Sequence, residues 1–401
     1  YKMMNWWMDR GIDGFRMDVI TLISKHLDSH GRLPGEVDSE LSEGEIGEEG
    51  YTNASPFCSD GPRLDEFLAE MRREVFEGRE GYMNVGEAPG ITPERNEFIT
   101  DPKNGELDML FLFDHVGIDQ EGSKWNTVPF EVRNLRTRLA AQQEAVKDAG
   151  WASLFFCNHD QPRVVSRWGD DTDRESRELG AKAFGMLLHM HRGTPYIYEG
   201  EELGMTNAHF TSLDQYRDLE AINAYRQRVE EARCQSPESM MAALALIGRD
   251  NARTPMQWDA SRYAGFTAPD AAAEPWIGVN PNHVEINAAE EFDDPDSVYG
   301  FYKKLIAMRH NNATVATGEW NLLAADDEQV YAFTRTSGDD TILVVVNLTD
   351  KSAGLPGEVA ELLGDGVAES QTLLSTYDVA HSVKSIARGE LARWEGVVIQ
   401  L

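Results

Sequence analysis

Apolar and polar positions follow two different rhythms along this chain. In the longer first part, short apolar runs of strand length alternate with stretches at helical spacing. Residues 1–10 read as a helix with Met4, Trp7 and Met8 on one face, stopped by Gly11. Ile12–Val19 reads as a short buried strand in which Phe15 and Met17 are interleaved with charged residues. An amphipathic helix over Leu64–Phe76 precedes a strand at Tyr82–Glu87, and a third strand is expected at Leu107–Phe113. A helix over Val132–Ala149, a strand at Ala152–Cys157, a helix over Glu178–His191 and a strand at Tyr196–Glu199 continue the alternation. Strands alternating with helices imply parallel βα units joined by right-handed crossovers. Gly204–Asp296 is rich in turn signals and reads as loop, and Val298–Arg309 reads as the last helix. Beyond Asn312 the period shortens: Gly318–Leu322, Val330–Thr336, Thr341–Leu348 and Val397–Leu401 are short strands separated by Gly, Asp and Ser. The expected architecture is α/β over residues 1–312, followed at 313–401 by a small antiparallel β-sandwich whose own pattern suits independent folding.

Composition narrows the partners. Lys and Arg number 37 against 69 Asp and Glu, a formal net charge of −32. Nucleic acid and anionic membranes need a basic footprint, so neither is an expected partner. No run approaches the ~20 apolar residues of a membrane span. Three cysteines without a C-x-x-C pair are no disulfide framework and suit a reducing, cytoplasmic setting. The chain begins at Tyr1 with no signal-like segment and is read as the C-terminal part of a longer protein. The acidic stretch Glu40–Gly50 reads as a solvated surface loop.

The candidate chemistry lies in acids at or just after the C-terminal ends of expected strands: Asp18, Glu87, Asp160 and Glu199. In a (β/α) barrel that end carries the active site. No histidine cluster with ligand spacing accompanies them, so no metal is expected and carboxylate acid/base chemistry is favoured over a metal centre. Glycosyl transfer needs such a set, with one carboxylate and one carboxylic acid flanking the glycosidic bond. Taken singly, each acid also has a plain explanation as a strand-end cap or ion-pair partner, and His159 as a structural hydrogen bonder.

Five segments in order change that balance. Gly11-Ile12-Asp13-Gly14-Phe15-Arg16-Met17-Asp18-Val19-Ile20 resembles the fourth-strand motif of the α-amylase superfamily, in its oligo-1,6-glucosidase, dextran glucosidase and α-glucosidase branch. Val85-Gly86-Glu87-Ala88-Pro89-Gly90 resembles its fifth-strand motif, and Asn158-His159-Asp160-Gln161-Pro162-Arg163 its seventh. Residues 193–204 resemble its eighth-strand segment, and Arg249–Trp258 the substrate-side loop that comes after it.

The resemblance implies a fold, an activity and a set of roles. The fold is a partial (β/α)8 TIM barrel, strands four to eight, ahead of the β-sandwich. The activity is retaining α-glucosidase action on short gluco-oligosaccharides such as isomaltose, cutting α-1,6 bonds in preference to α-1,4 bonds at the non-reducing end. Asp18 is the implied nucleophile, Glu87 the general acid/base and Asp160 the residue gripping the sugar hydroxyls. Arg16 pairs with Asp18. His159 and Arg249, less so Arg253, reach the same sugar. Glu199 has no implied catalytic role. Val19 selects the α-1,6 linkage, so that Ala or Thr there favours α-1,4. Cys157 stands where the family has Asn. No cofactor is implied within this chain, and calcium only through a loop upstream of it. Alternatives in the superfamily are a sucrose-isomerising or transglycosylating enzyme and a trehalose-6-phosphate hydrolase.

Overall fold

The computed structural model describes residues 1–364 and 366–401. They form two compact units, Tyr1–His115 with Arg138–Ser153, and Val116–Thr137 with Leu154–Leu401.

In the first unit, strands β1 (Gly14–Met17), β2 (Met83–Glu87) and β3 (Met109–Phe111) make a parallel sheet in chain order. Gly14 opposes Met83, and Gly86 lies opposite both Met17 and Leu110. Two glycines are required by this ladder. A Cβ at Gly14 (φ +138°) would fall 1.8 Å from the Met83 carbonyl oxygen, and one at Gly86 would lie 2.7–2.8 Å from Leu110, Ile20 and Leu107. Met17, Leu68, Phe76, Ile99 and Leu110 belong to one buried cluster. Its helical part is Leu64–Met71, running on as a π-turn over Arg72–Phe76. The odd residues of β1 thus go into apolar packing while Arg16 stays exposed, the ordinary consequence of a two-residue period. The strand is shorter than Ile12–Val19, and the first helix, Lys2–Met8, buries Met8 but leaves Trp7 exposed.

The second unit begins with a hairpin, β4 (Gln120–Glu121) and β5 (Ser123–Thr127). Ser153–Leu154 (β6) and Thr194–Pro195 (β7) are much shorter than their apolar runs. Residues 196–199 are not a strand: Tyr196 N–H still donates to the Leu154 carbonyl at 2.8 Å, and the chain then turns through a 3-10 turn at Glu201–Leu203. Burial is legible in these runs, but the ladder ends where one neighbour turns away.

The loop-rich stretch Gly204–Asp296 also holds two helices that its turn signals concealed. Leu219–Tyr225, capped by the Asp218 side chain, and Pro237–Ile247, capped by Ser236, are helices whose polar caps look like turn signals in the sequence. The expected helix is present at Val298–Asn311, and shorter ones lie at Ala313–Thr317, Gly357–Leu363 and Val379–Ala387. The remaining strands are β8 (Glu319–Leu323), β9 (Val330–Ser337), β10 (Asp340–Asn347), β11 (Ala353–Gly354), β12 (Thr372–Ser375), β13 (Glu390–Leu391) and β14 (Gly396–Gln400). Five of them form an antiparallel sheet in the order β12-β14-β10-β9-β8. Val330, Ala332, Leu343, Val345, Val397 and Ile399 pack on one face of it. The layer against that face is the β11–β13 ladder (Ala353, Leu391) and two helices (Val359, Ile386). The opposite face meets the helix Arg174–Met190 and the residue just beyond its end. Arg335 Nη1 donates to the Met190 carbonyl at 2.7 Å, and His191 Nε2 lies 2.9 Å from the Tyr331 hydroxyl.

Among the described residues no helix is long and apolar enough to cross a membrane.

Candidate active site

The residues singled out in the sequence fall into two charged groups, one in each unit.

In the first unit, the parallel register carries Arg16, Asp18 and Val19 to the end of β1, and Glu87 ends β2. Arg16 grips two carboxylates at once. Its Nη1 pairs with Asp18 Oδ1, and its Nη2 lies 3.1 Å from Glu87 Oε1. Val19 N–H donates to the other Glu87 oxygen, Oε2, at 3.0 Å. Glu87 is therefore nearly buried with a donor on each oxygen, whereas the Asp18 side chain is 76 % exposed. The Arg16–Asp18 pair follows from their spacing on one strand face; the second grip, on Glu87, needs the sheet register. Val19 is 37 % exposed, so it is not a buried packing residue.

In the second unit, a turn after β6 presents His159 and Asp160. Asn158 Oδ1 accepts Asp160 N–H at 2.7 Å and fixes the turn. Val164 N–H donates to Cys157 Sγ at 3.2 Å, so the cysteine in the family's asparagine position still accepts a backbone bond. Burial pushes the Cys157 thiol well above its ordinary range. Arg163, 1 % exposed, ties the same turn to the carbonyls of Glu199 (2.5 Å) and Ala252 (3.3 Å).

Two arginines face Asp160, and the nearer is Arg253. Its Nη2 is 2.5 Å from Asp160 Oδ1, and its Nε donates to the His159 carbonyl at 2.9 Å. Arg249 Nη1 stands 3.5 Å from the same Asp160 oxygen. Its Nε and Nη2 instead hold Asp218 in a bidentate pair at 3.0 and 2.9 Å, and Nε is also 3.0 Å from Glu220 Oε2. Lys124, from β5, reaches Glu220 Oε2 at 2.6 Å. His159 lies 3.6 Å from Asp160 Oδ2.

Burial works to raise the Asp218 carboxyl, but the Arg249 hydrogen bond, the Glu220 N–H and the two arginine charges outweigh it and hold Asp218 below its usual value. Burial lowers the Lys124 ammonium against the pull of Glu220. Sequence reasoning misses Asp218, Glu220 and Lys124 because it assigns their segments no element; the signal present is an Asp at a helix N-cap with Glu in the first turn. Glu199 contributes its carbonyl to Arg163. No group of three or more His, Cys, Asp or Glu able to hold a metal occurs among the described residues.

Comparison with known proteins bears on both groups. Residues 1–318 match the α-amylase catalytic domain and 320–369 the maltogenic amylase C-terminal domain. An oligo-1,6-glucosidase of Parageobacillus thermoglucosidasius is 42 % identical over 406 residues, covering 100 % of this chain and 67 % of that protein. A glucan 1,6-alpha-glucosidase of Streptococcus pneumoniae is 41 % identical, covering 93 % of this chain and 64 % of that one. The crystal structure of Bacillus licheniformis trehalose-6-phosphate hydrolase superimposes with a TM-score of 0.84 at 38 % identity, over 100 % of this chain and 67 % of that one. The chain spans about two thirds of the length of the curated relatives it matches.

Proposed function

The chain belongs to the α-amylase family of glycoside hydrolases, with its TIM-barrel fold and C-terminal antiparallel sheet domain, and from that premise we propose a retaining α-glucosidase acting on α-1,6 bonds of short gluco-oligosaccharides such as isomaltose. In this reading the parallel strands are the fourth to eighth of the family's barrel. Residues 1–312 are its catalytic part and 313–401 its C-terminal β-sandwich domain. The cytoplasm is the proposed location, which suits free Cys58, Cys157 and Cys234.

The proposed steps use this chain's own side chains. Glu87 gives a proton to the glycosidic oxygen as the bond to the anomeric carbon breaks, and the bonding pair leaves with that oxygen. Asp18 forms a bond to the anomeric carbon from the opposite face. Glu87, now a carboxylate, takes a proton from water as the water displaces Asp18 and the sugar leaves with its configuration kept. Asp160 and His159 hold sugar hydroxyls, with Arg253 and Arg249 fixing Asp160.

The observation that carries this reading is the single Arg16 guanidinium shared by Asp18 and Glu87. One guanidinium holding both groups keeps the two carboxyls beside each other, as a nucleophile and an acid flanking one glycosidic bond require.

Proton NMR of the first turnovers on isomaltose tests the proposal. α-Glucose should be released first, and Asp18→Asn or Glu87→Gln should cut kcat by about 10²-fold or more. β-Glucose appearing first, or full activity in either variant, would overturn it.

A further inference from the structure

Val19 follows the proposed nucleophile directly, and its backbone is left-handed, with φ 37° and ψ 41°. For a β-branched residue this is a true outlier, because the branched Cβ crowds the neighbouring carbonyl. Such a conformation survives only where its surroundings over-determine it.

Here they do. A 3-10 turn, Ile20–Ile23, starts at once, and Leu22 N–H donates to the Val19 carbonyl at 2.9 Å. The Thr21 hydroxyl, 1 % exposed with its residue, donates to the Pro89 carbonyl at 3.1 Å, and the Thr21 carbonyl accepts Asp60 N–H at 3.1 Å. Ile20 sits so close to β2 that a Cβ at Gly86 would come within 2.8 Å of it. Contacts along and just beyond β2 therefore fix the residues flanking the strained one. The result is that Val19 N–H points at Glu87 Oε2, 3.0 Å away, while Arg16 holds Oε1.

We propose that Val19 is a positioning residue, whose left-handed backbone turns its N–H onto Glu87 to fix the plane of that carboxyl and stabilise the carboxylate formed when the proton leaves. The same donor then holds the carboxylate in place while it draws a proton from water in the second step. This role belongs to the main chain and is separate from any effect of the Val19 side chain on linkage choice. It rests on the reading of Glu87 as the acid/base for its catalytic meaning, though not for the hydrogen bond itself.

The test removes the donor and keeps the side chain. The α-hydroxy analogue of valine incorporated at position 19 replaces the N–H with an ester oxygen. Val19→Gly does the reverse, keeping the N–H and relieving the strain. In the ester protein the basic limb of the kcat/KM profile on isomaltose should move up by about one pH unit, about tenfold in proton affinity, and kcat should fall about tenfold. In Val19→Gly the limb should stay where it is in the parent. An unmoved limb in the ester protein, or a limb that moves as far in Val19→Gly, would overturn the inference. A shifted limb in Val19→Gly contradicts a role for the retained N–H. Carboxyl ¹³C NMR of Glu87 in the same proteins needs no substrate. If the parent hydrolyses neither isomaltose nor maltose, the glucosidase reading fails, while the carboxyl titration still shows whether the Val19 donor acts on Glu87.

Discussion

One guanidinium serves two carboxylates at the ends of neighbouring strands, and Val19, which follows Asp18 and donates to Glu87, carries both strain and exposure. Its side chain is the natural place to look for linkage choice. On the proposed function, a branched side chain here would crowd an α-1,4-linked ring, while the extra rotatable bond of a 1,6 linkage would let the next sugar swing clear. Val19→Ala removes two methyl groups and keeps the N–H, so it should raise kcat/KM for maltose relative to isomaltose by about tenfold, within the 1–3 kcal/mol that a hydrophobic pocket change supplies. Val19→Thr has the same shape as the parent. A shift in Thr without one in Ala would point to the added hydroxyl, and an unchanged ratio in both would mean that the side chain takes no part. At this scale the sequence discloses more than identity. Arg16 and Asp18 are two apart in the expected strand Ile12–Val19, a spacing that puts them on one face. What it hides depends on distance along the chain or on a broken rule. The nearness of Arg253 over Arg249 to Asp160 comes from Asp218 capturing Arg249, and no propensity scale expects valine to be left-handed.

Elements are legible where burial and period agree, and misread where polar caps imitate turns. The Arg174–Met190 helix is anticipated nearly whole because its buried face is continuous. Its C-terminus has no glycine cap; Arg309 donates to the carbonyls of His189, His191 and Gly193, and Arg335 to that of Met190, so two distant cations finish the helix. That closure is a tertiary fact with no local sign. The turn after β7 holds a comparable feature. Glu201 is 4 % exposed, accepts the Tyr302 hydroxyl at 3.2 Å, and is pushed up to about 7 by burial. Between its ordinary value of 4.5 and about 7, the unfolded chain loses this proton while the folded protein keeps it. The folded state binds more protons in that window, so stability falls as pH rises through it. Glu201→Gln retains an acceptor for Tyr302 and cannot titrate. Urea melts at pH 5 and pH 8 should show the parent losing about 1–3 kcal/mol more than the variant over that interval. Parallel pH dependence in the two proteins would mean that Glu201 stays ionised in the fold.

On the scale of the whole molecule, the change of rhythm near residue 312 invites a cut there, and the second unit argues against the piece standing alone. The strand pattern of 313–401 does bury one face internally, through Val330, Leu343, Val345 and Val397 against Val359 and Ile386. The other face of the same sheet carries Trp320, Tyr331 and Phe333, none more than 7 % exposed. These rings lie against His191, with centroids 6.0, 5.3 and 4.7 Å away, and Arg335 spends one donor on Met190. Phe184 of the Arg174–Met190 helix also meets Trp394, at 6.1 Å. Removing residues before 313 would uncover these rings and strand a buried arginine. Burying one large side chain is worth about 1.5–3 kcal/mol, so three rings amount to about 5–9 kcal/mol, as much as a small domain's whole stability of about 5–15 kcal/mol. Residues 313–401 expressed alone should therefore stay unfolded or aggregate, giving a narrow ¹H–¹⁵N spectrum and no cooperative melt. A dispersed spectrum with a two-state transition would show that the inner face suffices, and that the contacts around His191 hold a finished domain in place rather than complete an unfinished one.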